Sequence, residues 1–113
     1  MTQLKKLNTL NEWKDVLSDS NEKPVLVFKH STTCPISASA YDEYKSYETD
    51  LDKYIVAVIE SRPVSNEIAN DLGITHQSPQ VLLLQKEQPL WNASHWKITG
   101  QALGNAVKEH ITE

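Results

Sequence analysis

The chain has one cysteine, Cys34, and it stands in the stretch that offers the most chemistry: Phe28-Lys29-His30-Ser31-Thr32-Thr33-Cys34-Pro35-Ile36-Ser37. An apolar run, Val25 to Phe28, precedes it and reads as a buried strand ending in small polar residues. Pro35 suits the first position of a helix, where its missing N–H would be unpaired anyway. Cys34 then falls at the N-cap, with its sulfur facing the free amides of Ile36 and Ser37. Those amides and the positive end of the helix dipole favour an anion, so they favour thiolate over thiol. A lowered thiol pKa is the usual route to a reactive cysteine. A lone cysteine is elsewhere a small buried hydrophobe. Here its polar loop and the helix-starting proline favour an activated thiol.

Lys29 and His30 lie a few residues upstream and would add positive potential near the sulfur, although Lys29 reads equally well as a solvated strand end. His76 and Gln77 precede Ser78-Pro79, which places this histidine closer to a functional loop than His95 or His110. His95 reads as an edge-strand residue. Arg62 is the single arginine, just after the second apolar strand. The C-terminal ends of parallel strands share one rim, so this position would join Arg62 to the thiol. Its guanidinium could bind a carboxylate bidentately; the competing reading is a surface pair with Glu60 or Glu67. No His, Cys and carboxylate cluster has metal-ligand spacing, so no metal site is expected. Three glycines form no phosphate-cradling loop.

The elements that must position these residues can be read in order. Thr9-Leu10-Asn11-Glu12 is a capping-box signature opening a short helix over 10–18, with Trp13, Val16 and Leu17 on one face. A turn at 21–24 leads into a strand over 25–29. A helix is expected from Pro35 to about Leu51, with Ile36, Ala40, Tyr44 and Tyr47 along a packing face. The run 54–59 is apolar on both alternations, as in a strand covered on both faces. Strand, helix, strand in this order predicts a right-handed parallel crossover. Ser65 is placed to cap a helix through Leu72, and Gly73 fits its stop. A third core strand follows over 81–85, then a polar turn at 86–89 and a fourth strand over 90–96. Pro89 at that strand's start fits an edge. Thr99 caps a terminal helix with Leu103, Val107 and Ile111 on one face.

With 113 residues, 39% hydrophobic and 23% charged, the sequence fits a single domain over 1–113 that can bury a core without staples. One cysteine excludes an intramolecular disulfide. The formal charge of −4 argues against a nucleic-acid partner. No apolar run approaches transmembrane length, so no membrane partner is expected. A cytoplasmic location, which keeps the thiol reduced, is the expectation.

The order α-β-α-β-α-β-β-α, with the cysteine opening the helix after the first strand, resembles the thioredoxin fold across nearly the whole chain. That resemblance implies an α/β fold with a central four-stranded mixed sheet flanked by helices. It also implies that the Ser78-Pro79 peptide is cis and lies against the active-site cysteine; X-Pro bonds are the ones that tolerate cis. Where dithiol members carry Cys-x-x-Cys, this chain has Cys34-Pro35-Ile36-Ser37. Thr33-Cys34-Pro35-Ile36-Ser37 together with His76-Gln77-Ser78-Pro79-Gln80 resembles the YtxJ family of monothiol bacilliredoxins. Arg62, Ser65, Asn66 and the Ser94-His95 region are similar to that family's pattern.

The resemblance implies removal of bacillithiol, a cysteinyl-glucosamine thiol joined to malate, from mixed disulfides on S-bacillithiolated proteins. No tightly bound cofactor is implied; bacillithiol enters as a thiol co-substrate. Cys34 would attack the small-thiol sulfur, and an external thiol would complete the cycle. Ser37 would keep a donor near the sulfur, or serve merely as a polar first-turn residue. Pro79 would hold the Ser78 backbone against the substrate chain. The malate carboxylates are what Arg62 would bind, aided by a helix N-terminus near Ser65. Two alternatives stay open: a glutathione-type monothiol glutaredoxin or iron–sulfur carrier, and a thioredoxin-like binding module without turnover. Pro35 in place of glycine, and Ser31-Thr32-Thr33 in place of an upstream lysine, depart from the glutaredoxin pattern.

Overall fold

A computed structural model describes residues 4–31 and 35–111. Five strands and four helices follow one another as β1 (Leu4–Lys6), α1 (Leu10–Asp19), β2 (Val25–His30), α2 (Pro35–Ser46), β3 (Asp52–Ala57), α3 (Arg62–Leu72), β4 (Gln80–Gln85), β5 (Gln88–Ser94) and α4 (Gly100–His110), with a 3₁₀ turn at His95–Lys97 before α4. The strands form one mixed sheet in the order β1-β3-β2-β4-β5. β1, β3 and β2 run parallel, while β4 and β5 are antiparallel to their neighbours.

The sheet thus has five strands, one more than expected. The extra one, β1, has three residues and pairs Leu4, Lys5 and Lys6 with Lys53, Tyr54 and Ile55. Such a segment is too short to display a period. It is held by its neighbour and by the buried Leu7, whose N–H donates to the Ile55 carbonyl at 2.8 Å. Two exposed lysines on a short edge strand discourage pairing with another chain.

Each sheet face buries its own core. On one, Trp13 and Val16 of α1 and Val64, Ile68 and Leu72 of α3 pack on Val25, Val27, Tyr54, Val56, Leu82 and Leu84. On the other, Ala40 and Tyr44 of α2 and Leu103 and Ala106 of α4 pack on Leu26, Phe28, Val81 and Leu83. The period-2 alternation of β2 sends successive residues to opposite cores. Because both faces are covered, β2 reads as an uninterrupted buried run.

Several boundaries depart from the sequence reading. α2 stops at Ser46 rather than near Leu51. No Gly or Pro marks this end; instead the Lys53 ammonium, on β3, donates to the carbonyls of Tyr44, Lys45 and Tyr47 at 3.0, 3.3 and 2.6 Å. A side chain six to nine residues further along the chain therefore supplies the C-terminal partners that the helix lacks. β3 begins two residues early, at Asp52, and ends at Ala57, leaving Ile59 exposed. The turn between β4 and β5 is two residues, Lys86 and Glu87, both with positive φ (55° and 61°), as a type I′ hairpin requires. β5 therefore starts at Gln88, and Pro89 does lie on an edge strand. The Thr9–Glu12 capping box, the Gly73 left-handed cap (φ 65°) and the Thr99 cap are all present.

Candidate redox site at the C-terminal rim of the sheet

β2 and β3 end side by side, with His30 paired to Ala57, and β4 begins at the same end, with Gln80 opposite Lys29. The rim brings together the ends of β2 and β3, the start of α2, the start of α3, and the loop before β4. Thr33 and Cys34 lie outside the described residues, so the N-cap reading of Cys34 and its contact with Pro79 concern residues on which the structure is silent. The chain on either side is described.

On the α2 side, Ser37 is fully buried. Its hydroxyl oxygen accepts from the Ser31 N–H at 2.9 Å and lies 2.8 Å from His30 Nδ1. Burial lowers the pKa of His30, opposed by the charge of Glu60, so the ring is neutral near pH 7. The serine O–H donating to an unprotonated Nδ1 satisfies all three groups. The His30 ring also stacks on Tyr41, with centroids 4.8 Å apart, and on Phe28 at 5.8 Å. Ser37 therefore ties the end of β2 to the first turn of α2 across the segment that holds Cys34. Pro35 is exposed and Ile36 half-buried at that turn.

On the α3 side, Lys29 is not a solvated strand end: it is 1% exposed. Its Nζ lies 3.2 Å from Nδ1 of His76, which in turn lies 3.4 Å from the Ser65 hydroxyl. Desolvation pushes the Lys29 pKa down to about 8. The His76 pKa is lowered by burial first, then by the charges of Lys29 and Arg62. Among the described residues no carboxylate pairs with Lys29, His76 or Arg62. The surface pairs of Arg62 with Glu60 or Glu67 are accordingly not formed.

Arg62 itself is the first residue of α3, preceded by Ser61 and followed by Pro63 in the first turn. Ser65 does not cap this helix. It lies inside the first turns, fully buried, and its hydroxyl faces His76. Pro63 explains the earlier start, since proline tolerates the first turn where no intrahelical N–H bond is needed.

The Ser78-Pro79 peptide is cis, and Pro79 is buried. The Pro79 carbonyl accepts from the His95 N–H at 3.1 Å. His95 is thus the start of the 3₁₀ turn, with φ 56°, rather than a strand residue. Gln77 is exposed; its N–H donates to the buried Gln80 Oε1 at 3.4 Å, and Gln80 Nε2 donates to the Thr75 carbonyl at 3.3 Å. The Ser78 hydroxyl oxygen is buried and has no hydrogen-bond partner among the described residues. Sequence reasoning missed Tyr41, read Ser65 as a helix cap beside Arg62, and named Gln80 only within the loop motif. The available signal was a polar residue at a core position: Ser65 shares a helix face with Ile68 and Leu72, and Gln80 opens an apolar strand.

The described residues hold no group of three His, Cys, Asp or Glu side chains arranged for a metal ion, and no helix among them is long and apolar enough to cross a membrane.

Strand order, the cis-proline before β4 and a rim at the end of β2 define a thioredoxin-fold protein. Solved structures agree. The chain is similar to a candidate oxidoreductase with a thioredoxin fold, at 34% identity and TM-score 0.84, covering 91% of this chain and 92% of that one. It shares the fold of a Malassezia sympodialis thioredoxin (16% identity, TM-score 0.77, 97% and 92% covered) and of a Schistosoma mansoni thioredoxin pre-protein (14%, 0.78, 97% and 100%). Within that class, residues 5–103 match the family model for monothiol bacilliredoxin BrxC, and the chain belongs to that family. Membership and fold together support thiol–disulfide redox chemistry, of the kind the family links to bacillithiol.

Proposed function

We propose that this protein removes bacillithiol from protein mixed disulfides through Cys34, acting as one thioredoxin-like domain with no second protein thiol. The observation that carries the reading is Ser37. It occupies the place of a resolving cysteine, and its hydroxyl is sealed from solvent and already bonded to Ser31 and His30. Cys34 thiolate attacks the bacillithiol sulfur; that S–S bond forms as the old one breaks, and the client leaves as a thiol. Cys34 then carries bacillithiol, and an external thiol takes it off by the same exchange.

The rest of the rim divides the work. Thr33, Pro35 and Ile36 flank the nucleophile. Pro79 holds the Ser78 backbone against the client chain, with Gln77 at the loop's exposed edge. Lys29, His30 and His76 line the rim toward the thiol; with both imidazoles neutral, Lys29 is the one of the three that supplies positive potential. Arg62, exposed and without a carboxylate partner among the described residues, binds the malate carboxylates, which a client protein's thiol lacks.

The test is single-turnover exchange with a bacillithiolated peptide and with a small uncharged disulfide. Arg62→Ala should slow the first by about tenfold or more, the value of a lost charged hydrogen bond, and leave the second unchanged. Equal loss toward both substrates, or loss toward neither, would reject recognition of bacillithiol by Arg62.

A further inference from the structure

Lys29 and His76 form a hydrogen-bonded line whose direction is set by chemistry. A lysine ammonium can only donate, so Nδ1 of His76, 3.2 Å from Lys29 Nζ, is the acceptor. Neutral His76 then carries its proton on Nε2. That N–H has no acceptor among the described residues.

The ring is held in place from several sides. Buried Gln80 fixes the backbone on both flanks of His76, accepting from the Gln77 N–H at 3.4 Å and donating to the Thr75 carbonyl at 3.3 Å. Behind the ring the Lys29 ammonium is 1% exposed and has no carboxylate partner among the described residues. Its neighbours across the sheet are the uncharged Val56 and Gln80. On α3 the Ser65 hydroxyl lies 3.4 Å from Nδ1, and Arg62 stands three residues earlier, on the same helix face. The Arg62 charge acts on His76, whereas that of Glu60, just before α3, acts on His30. A chain of net charge −4 thus keeps two cations and an unused N–H donor together, with no acid paired to them among the described residues.

We propose that His76 is a carboxylate-binding residue, whose Nε2–H and the Arg62 guanidinium together hold a dicarboxylate, with the Lys29 ammonium behind the ring. This rests on the reading that Arg62 meets the malate arm of bacillithiol, and it divides the two malate carboxylates between Arg62 and His76. Lys29 is a positioning residue and does not touch the ligand. It fixes the tautomer that presents Nε2–H and supplies the charge that a neutral imidazole lacks. A cation donating to Nδ1 and an anion accepting from Nε2–H strengthen each other's hydrogen bond through the ring. The thiol takes no part in this contact, so the dicarboxylate fragment alone should bind.

The probe is free malate, titrated into the reduced protein and followed by NMR of the His76 ring nitrogens, with acetate as the one-carboxylate control. Without ligand, His76 should show the Nε2–H tautomer. Malate should move its resonances saturably, with a dissociation constant on the order of 1 mM, as two or three charged hydrogen bonds give, and should raise the ring's pKa. Acetate should bind about tenfold more weakly or worse. By calorimetry His76→Phe should weaken malate about tenfold, and His76→Gln, whose amide can accept from Lys29 and donate to a carboxylate, should recover part of the loss. Lys29→Met should both weaken malate and release the tautomer preference, which a packing role alone would not couple. Malate binding that leaves the His76 resonances in place would overturn the inference and leave the Arg62 reading intact. An Nδ1–H tautomer in the free protein, or no response at about ten times the expected dissociation constant, would overturn it as well. An unchanged His76 response in Arg62→Ala would keep His76 as a carboxylate contact and reject Arg62 instead. The spectrum of the unsubstituted protein decides the matter if a variant does not fold.

Discussion

Lys29 and His30 are neighbours in β2, and the pleat sends them into opposite environments. His30 enters the α2 side, where it is stacked on Tyr41 and bonded to Ser37. Lys29 enters the α3 side, where a buried ammonium has one imidazole for company. The first cluster is neutral and satisfied, so it contributes stability and fixes the chain on both sides of Cys34. The second is a desolvated charge without a counter-ion among the described residues, an arrangement that costs stability. That charge lies at the end of the strand that leads to Cys34, where the proposed exchange would draw on its positive potential. The two sides therefore differ in kind: one is a neutral, satisfied cluster, and the other is a buried charge held by one imidazole.

The contrast can be tested in a series of decreasing effect. Cys34→Ser should abolish exchange with every disulfide, in single-turnover assays, while neither cluster is disturbed. Lys29→Met should raise stability at neutral pH by up to ~3 kcal/mol in denaturant unfolding, because it removes the desolvation that drives this pKa from 10.5 to about 8. The sign follows from linkage: a depressed lysine pKa penalises the folded state fully below about 8, and the penalty fades as pH rises toward 10.5. The stabilisation in Lys29→Met should therefore shrink over that interval. Ser37→Ala should do the opposite and lower stability by about 1–2 kcal/mol, since the half-buried Ser31 amide and His30 lose this partner. A Lys29→Met protein less stable than the parent, or a Ser37→Ala protein equally stable, would erase the distinction between the clusters.

The smallest effect is the acid response. Both His30 and His76 have lowered pKa values because of burial. The stability that comes with their neutral forms is present above the ordinary imidazole value of about 6.5 and is lost as pH falls below it. Thermal melting should drift downward from about pH 7 to about pH 5, and His30→Gln should flatten part of that drift. A melting temperature that rises on acidification over this range would contradict the burial of both rings.

Much of this was legible from residue order. The apolar runs, the Thr9 and Thr99 caps and the Gly73 stop are local signals, and each marks its element in the fold. What stayed hidden depends on distant partners. β1 exists because β3 offers it an edge, and α2 ends where Lys53 reaches its carbonyls. Lys29 was ambiguous because a lysine at a strand end is usually solvated; its burial is imposed by α3 and the loop before β4. Ser65 looked like a cap because serine before a helical run commonly is one. Pro63 moved the start upstream and turned that serine inward toward His76.

The central claim is that one thiol, Cys34, exchanges selectively with bacillithiol. Intact mass after incubation with bacillithiol disulfide, and separately with glutathione disulfide, tests it most directly. The account predicts an adduct of one bacillithiol on the wild-type chain, none on Cys34→Ser, and far slower formation of the glutathione adduct. Equal rates for the two disulfides, or no bacillithiol adduct at all, would contradict it.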